Sequence, residues 1–203
     1  MIVDIKKLTK TFSDGRNKLH VLKDINLQID KGSIITIKGP SGSGKSTLLS
    51  IIGTLDNADS GELLINGISI QENTNIDKLR NKSIGFVFQF HNLISELTLD
   101  ENVSLPKMIA KEQLDKEELI ELFEYFDLKD RMNSFPNDLS GGEKQRVAVM
   151  RAVINNPSII IADEPTGSLD KKNSIEIFNL LKKQINSNRL IIFATHNRFF
   201  ANK

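Results

Sequence analysis

The segment Gly39-Pro40-Ser41-Gly42-Ser43-Gly44-Lys45-Ser46 fits G-x-x-x-x-G-K-[ST], a spacing that holds phosphate. Its glycines let the backbone curl inward, so that successive N–H groups point at one spot. Lys45 can then reach the β- and γ-phosphates of a nucleoside triphosphate. The Ser46 hydroxyl can ligate Mg²⁺, and Thr47 follows at the start of a helix-forming run. Far downstream, Asp163 and Glu164 close an apolar run that begins at Ser158. Asp163 suits a Mg²⁺ ligand, direct or through water, and Glu164 suits a general base or water-orienter. Gln89 ends a second apolar run, where it can reach Mg²⁺ and an attacking water. His196 ends a third. These are the residue types of phosphoryl transfer, which asks a protein for positioning and charge neutralisation.

Each feature also has a plainer explanation. The glycines and serines fit a flexible loop, Gln89 a loop start, the two acids a helix start, and His196 a structural histidine. The strand-loop-helix order around Lys45 argues against the flexible loop: Ile34-Ile35-Thr36-Ile37 stands before it and Thr47 to Ile52 after it. A dinucleotide fingerprint is excluded, because Thr47 stands where the third glycine belongs. Leu139-Ser140-Gly141-Gly142-Glu143 opens a later helix, and Ser140 with Glu143 forms a capping box. Two adjacent glycines exceed what a cap requires and offer bare N–H groups to another phosphate. Phe12 is equally suited to a core position and to stacking on a base.

The elements that must position these groups follow the chain. Ile2 to Ile29 alternates apolar and polar residues in short runs and reads as an antiparallel β layer. Gly61 to Ile70 reads as two strands joined at Asn66-Gly67, and Lys78 to Lys82 as charged and exposed. Ser83 to Phe88 is a strand. From Phe90 to Asn137 the pattern turns helical. Leu119, Leu122, Phe123 and Phe126 share one face, Pro106 and Pro136 punctuate the segment, and Asp115, Lys116, Glu117, Glu118 and Glu121 form its solvated side. Ser158 to Ala162 and Leu190 to Thr195 read as buried parallel strands, separated by a helix from about Lys171 to Asn186 that turns Phe178, Leu181 and Ile185 inward.

With 203 residues, 39% apolar and 26% charged, the chain has material for one domain with an inserted lobe. A net charge of +1 gives no reason to expect a nucleic-acid partner. No run approaches the length of a membrane span, and the first residues lack the apolar core of a secretory signal. The absence of cysteine excludes disulfides and thiolate metal sites. A soluble, intracellular domain is expected.

Taken together, these residues resemble the nucleotide-binding domain of ABC transporters over essentially the whole chain. Phe12 is similar to the adenine-stacking aromatic, Gly39 to Ser46 to the Walker A loop, and Gln89 to the Q-loop glutamine. Leu139 to Glu143 resembles the family signature, Asp163-Glu164 the end of Walker B, Gly167 to Asp170 the D-loop, and His196 the switch histidine. The signature follows Walker A by about 95 residues, a pairing far more specific than Walker A alone. Ser46 to Asp56, Gly85 to Gln89, Leu93 to Val103 and Ala162 to Gly167 further resemble the macrolide-export and lipoprotein-release branch.

The resemblance implies an α/β P-loop NTPase core with a mixed, mostly parallel sheet, an N-terminal antiparallel β layer and an inserted α-helical lobe. Residues 1–89 and 138–203 would form the core and 90–137 the lobe. It implies an ATPase with ATP and Mg²⁺, the metal on Ser46, Gln89 and Asp163. The nucleotide would lie on Phe12, Gly39 to Thr47, and Ser140, Gly141 and Gly142 of a second copy. Glu164, His196, Gln89 and Lys45 would carry catalysis. Partners would be a second ATPase subunit in an ATP-dependent dimer, and permease subunits docked near Phe90 to Leu97. The chain would sit peripherally on the cytoplasmic face of the inner membrane. Three positions depart from the family pattern: Glu143 for the commoner Gln, Asn197 for the usual Asp, and an end at Lys203 that makes the chain short. Chromosome-maintenance relatives would carry long coiled coils and translation-factor relatives a tandem domain, neither of which is seen. A regulatory ATPase signalling to an envelope or cell-division partner is the alternative.

Overall fold

The computed structural model describes residues 1–15, 17–71 and 75–197; the chain end at Lys203 lies outside them. Two strands, β1 (Val3–Asp14) and β2 (Asn17–Ile29), pair antiparallel along most of their length, with bulges that let them twist. After β3 (Ile34–Ile37) and α1 (Lys45–Ile52), β4 (Ser60–Ile65) joins the free edge of β1, and β5 (Ile68–Ser69) follows it. Asn66 at φ 52° and Gly67 at φ 76° supply the two positive dihedrals that the tight turn between them needs.

The segment after β5 forms α2 (Ile76–Ser83), in which Lys78 and Lys82 are exposed as expected but the residues between them are not. Leu79 is buried, and the Arg80 guanidinium donates to Thr54 O at 2.6 Å and Thr54 Oγ1 at 3.1 Å. Ser83 ends this helix, and the strand β6 is Ile84–Phe88. Then come α3 (Leu99–Ala110) and α4 (Lys116–Tyr125). Pro106 lies inside α3, where its missing N–H costs one bond of the helix without ending it. Three-residue turns at Lys129–Arg131 and Pro136–Asp138 lead into α5 (Gly141–Val153). Finally β7 (Ile159–Asp163), α6 (Lys171–Lys183) and β8 (Leu190–Ala194) follow, α6 stopping three residues short of Asn186.

Among the described residues the sheets are separate, one antiparallel in the order β2-β1-β4-β5 and one parallel in the order β3-β8-β7-β6. Period-two alternation along β7 and β8 explains their continuous apolar sequence. Ile160, Ala162, Ile191 and Phe193 face a core built with α3 to α6. Ile159, Ile161, Leu190, Ile192 and Ala194 face the opposite core, shared with α1 and the antiparallel sheet. Leu119, Phe123 and Phe126 bury into the first core, as their spacing predicts. At Gly85 the backbones of β6 and α5 touch, and an added Cβ would lie 2.1 Å from Ala152 O.

One consequence of register organises the molecule. Ile37 pairs with Ala194, Ala194 with Asp163, and Asp163 with Phe88. The four parallel strands therefore end on one line. Whatever follows each of them emerges along a single sheet edge.

Candidate nucleotide site

The phosphate loop leaves β3 at that edge. Gly42 and Gly44 adopt φ 78° and 87°, dihedrals that side chains rarely tolerate. A Cβ on Gly44 would also come within 3.0 Å of Val21, so β2 closes the back of the loop. Lys45 donates to Gly39 O at 2.8 Å and Pro40 O at 3.0 Å, holding its ammonium inside the curl. Ser41, Gly42, Ser43 and Ser46 face solvent, while Thr47 is half-buried on α1.

Across from the loop, Asp163 faces Ser46 and Lys45, whose hydroxyl and ammonium favour its charged form. Burial pushes the Asp163 carboxyl above the usual carboxylate range, and the Glu164 charge adds to this, against the pull of Ser46 and Lys45. Its Oδ1 is buried with no hydrogen-bond partner among the described residues. A buried, unsatisfied carboxylate oxygen beside a serine hydroxyl fits a hard cation such as Mg²⁺. Among the described residues no three His, Asp or Glu converge as a metal site, so phosphate and water oxygens would complete the shell.

Glu164 sits at φ 48°, a left-handed conformation costing about 1 kcal/mol for a non-glycine residue. Its surroundings enforce it. The Glu164 N–H donates to Ala194 O at 3.0 Å, and Gly167 N–H donates to Glu164 O at 2.9 Å. Its Oε1 accepts from His196 N at 2.9 Å and pairs with His196 Nδ1 at 2.9 Å, which places the ring proton on Nδ1. Gln89 lies against the turn that follows: a Cβ on Gly167 would come 2.9 Å from Gln89 Nε2, and the Ser168 hydroxyl donates to Gln89 O at 3.1 Å. Glu164, Thr166, Gly167, Thr195 and His196 line a cavity of about 460 Å³ opening at this edge.

The helical layer holds the other candidates. Ser140 caps α5 and forms the expected capping box with Glu143. Gly142 has a packing reason of its own, since a Cβ there would lie 2.5 Å from Asn173 Oδ1. The glycine excess is thus partly steric, whereas Gly141 meets only Leu169 at 3.5 Å. Among the described residues no hydrogen bond or ion pair joins Ser140, Gly141 or Gly142 to the groups around Lys45 and Asp163.

Phe12 stands on β1, 45% exposed, with the Lys10 ammonium 5.3 Å from its ring centre. A core role is thereby removed. Phe12→Ala should move the melting temperature by only about 1–2 °C. Stacking on a base is worth about 1–3 kcal/mol, so ATP affinity should fall at least about fivefold while inorganic triphosphate binds as before. Equal losses for both ligands would show that no stacking occurs.

Three residues that sequence reading missed tie α5 to the Gln89 segment. Gln145, fully buried, donates to Phe88 O at 3.1 Å. Arg151 donates to His91 O at 2.7 Å and Asn92 O at 2.6 Å. His91, at φ 61°, is half-buried with its ring Nε2 unpartnered among the described residues, and burial pulls its pKa below the ordinary histidine value. Gln145 shares the inward face of α5 with Val149 and Ala152, and a polar residue on such a face was a readable signal.

A phosphate loop feeding a helix, with acids at the end of a neighbouring parallel strand, defines a P-loop nucleoside triphosphatase. Residues 22–167 match the family described as ABC transporter, and the chain belongs to that family. It is 44% identical to the lipoprotein-releasing system ATP-binding protein LolD of Buchnera aphidicola subsp. Acyrthosiphon pisum, over 97% of this chain and 89% of that protein. It is 43% identical to the macrolide export ATP-binding/permease protein MacB of Aggregatibacter actinomycetemcomitans, over 98% of this chain but 32% of that longer protein. Among solved structures, the dimeric ATP-binding cassette MJ0796, in a post-hydrolysis state with ADP and Pi, superposes with a TM-score of 0.89 at 42% identity. That match covers 98% of this chain and 90% of the other. The protein is accordingly an ATP-binding, ATP-hydrolysing subunit of the ABC class.

Proposed function

We propose that the chain is the ATP-driven motor of a membrane system that releases lipoproteins or exports macrolide-like compounds. The observation that carries this is its near end-to-end match to an ATP-binding subunit of a lipoprotein-releasing system. Among the described residues no helix is long and apolar enough to cross a membrane.

In this reading two copies enclose two ATP molecules. One copy brings the phosphate loop, Gln89, Asp163, Glu164 and His196. The other brings Ser140, Gly141 and Gly142, which among the described residues no hydrogen bond or ion pair joins to Lys45 or Asp163 within one chain. Lys45 binds the β- and γ-phosphates, and Phe12 stacks on adenine. Ser46, Gln89 and Asp163 would hold Mg²⁺, which when bound would neutralise phosphate charge. Glu164 takes the proton of the attacking water, and His196 holds Glu164 in place through its backbone and ring N–H groups.

The permease docks beside Gln89. A groove of about 610 Å³ adjoins that segment, lined by Ile84, Phe86, Phe88, Leu105, Pro106 and Ile109, whereas Phe90, Leu93, Ile94 and Leu97, expected to line it, do not. Ile109 and Phe90 are 70% and 73% exposed, and none of Phe90, Leu93, Ile94 and Leu97 is fully buried. Such a surface fits a short apolar segment of a membrane subunit on the cytoplasmic face. Ile109→Asp should leave the melting temperature within about 1–2 °C, yet abolish co-purification with detergent-solubilised membrane subunits. Retained co-purification places the dock elsewhere.

Depleting the chain in its native cell tests the function itself. Lipoproteins accumulating in the inner membrane support release, and raised macrolide sensitivity supports export. If both phenotypes are absent, both readings fall.

A further inference from the structure

Ser140 has two groups that can donate to a phosphate, its backbone N–H and its hydroxyl. Both are already in use. The N–H donates to Glu143 Oε2 at 2.8 Å, and the hydroxyl donates to the same oxygen at 2.6 Å. A serine hydroxyl carries one proton, so while Glu143 accepts it no phosphate oxygen can. Hydrogen bonds to an ionised acceptor are the stronger kind, and the short contacts agree with that. Glu143 is held below the ordinary carboxylate range, chiefly by these two bonds to Ser140, and so stays charged. One carboxylate oxygen therefore receives the donors a phosphate oxygen would receive, with the same sign of charge.

The second oxygen of Glu143 faces a way out. Its Oε1 lies 4.0 Å from Arg131 Nε, on the Lys129–Arg131 turn, and the Arg131 side chain is half in solvent. Arg146 also lends charge, while its Nη1 donates to Glu176 at 2.7 Å. Arg131 is thus placed to accept the carboxylate when Ser140 turns away from it.

We propose that Glu143 is a positioning residue that restrains the shared site. Its carboxylate occupies both Ser140 donors until the nucleotide of a second copy displaces it towards Arg131. The proposal rests on the reading that Ser140 serves the other copy's ATP. It predicts a sign that a merely structural role does not. A structural cap, once weakened, can only weaken the dimer, whereas removing a charged competitor strengthens it.

The test uses the full chain with Glu164→Gln, so that Mg-ATP is retained, and light scattering to find the protein concentration at which half is dimer. Glu143→Gln keeps an acceptor for the Ser140 N–H and replaces a charged acceptor by a neutral one. The half-point should fall at least about tenfold, from the difference between charge-assisted and neutral hydrogen bonds. Arg131→Ala, which leaves the cap untouched, should raise it about threefold, the size of one partly exposed charge interaction. An unchanged or raised half-point in Glu143→Gln, with melting temperature retained, overturns the proposal. If Glu143→Gln melts early, Arg131→Ala decides, and an unchanged or lowered half-point there overturns it. Ser140→Arg separates the two levels of the argument. A dimer that survives this change refutes the shared site and the proposal together. A dimer lost in Ser140→Arg but unmoved in Glu143→Gln refutes the proposal alone.

Discussion

Replacing Glu164 by Gln is expected to lower ATP hydrolysis by about 10²–10⁴, the usual worth of a positioned base. The amide oxygen can still accept from His196 N–H and Nδ1–H, each now at 2.9 Å from the carboxylate, so the geometry should survive. Only the capacity to take a proton is lost. With turnover blocked, the chain should be monomeric without nucleotide and collect as a dimer on Mg-ATP. Phosphate release gives the rate and light scattering the mass. Hydrolysis within tenfold of the parent removes Glu164 from the role of base. A variant that binds ATP tightly yet stays monomeric at high concentration removes the shared site.

The second large effect concerns Lys45. Its ammonium spans the loop to Gly39 O and Pro40 O, so it arrives pre-placed rather than searching for phosphate. Charge-assisted hydrogen bonds contribute about 1.5–3 kcal/mol each. Lys45→Ala should therefore weaken ATP binding at least about tenfold. The same change removes the two bonds that Lys45 donates within the loop, one of them exposed, and should lower the melting temperature by several degrees. Titration with a fluorescent ATP analogue measures the first effect, calorimetry the second. Unchanged affinity in a folded variant would show that Lys45 does not touch the triphosphate.

Much of this site was readable because of how its strands are buried. Strands covered on both faces must be apolar throughout, so Gly85 to Phe88, Ile159 to Ala162 and Leu190 to Ala194 announce themselves, and the first polar residue after each marks an end. Order and register are nonlocal and carry no such mark. Nothing near Asp163 says that Ala194 lies on one side of it and Phe88 on the other. The helix α2 was missed because Leu79 is its one buried side chain and its remaining anchors are polar, Arg80 reaching back to Thr54. Pro106 lies inside α3 although proline more often marks a helix end, and only the surrounding packing decides between the two. The steric need for Gly142 arises from Asn173, thirty-one positions away in sequence and invisible from it.

The contact at Gly85 has a mechanical consequence. Backbone against backbone leaves no compliant side chain between β6 and α5, so the helix cannot slide along the strand there and the contact acts as a fulcrum. Ala152 lies near one end of α5 and Gly141 begins the other, a lever arm of about 16 Å at 1.5 Å per residue. A tilt of about 5° would swing the helix tip by about 1.4 Å, half the length of a hydrogen bond. Along that arm, Arg151 beside the fulcrum holds the His91-Asn92 carbonyls, and Gln145 nearer the tip holds Phe88. Leverage of this kind turns a slight push at the groove into a make-or-break displacement at Ser140.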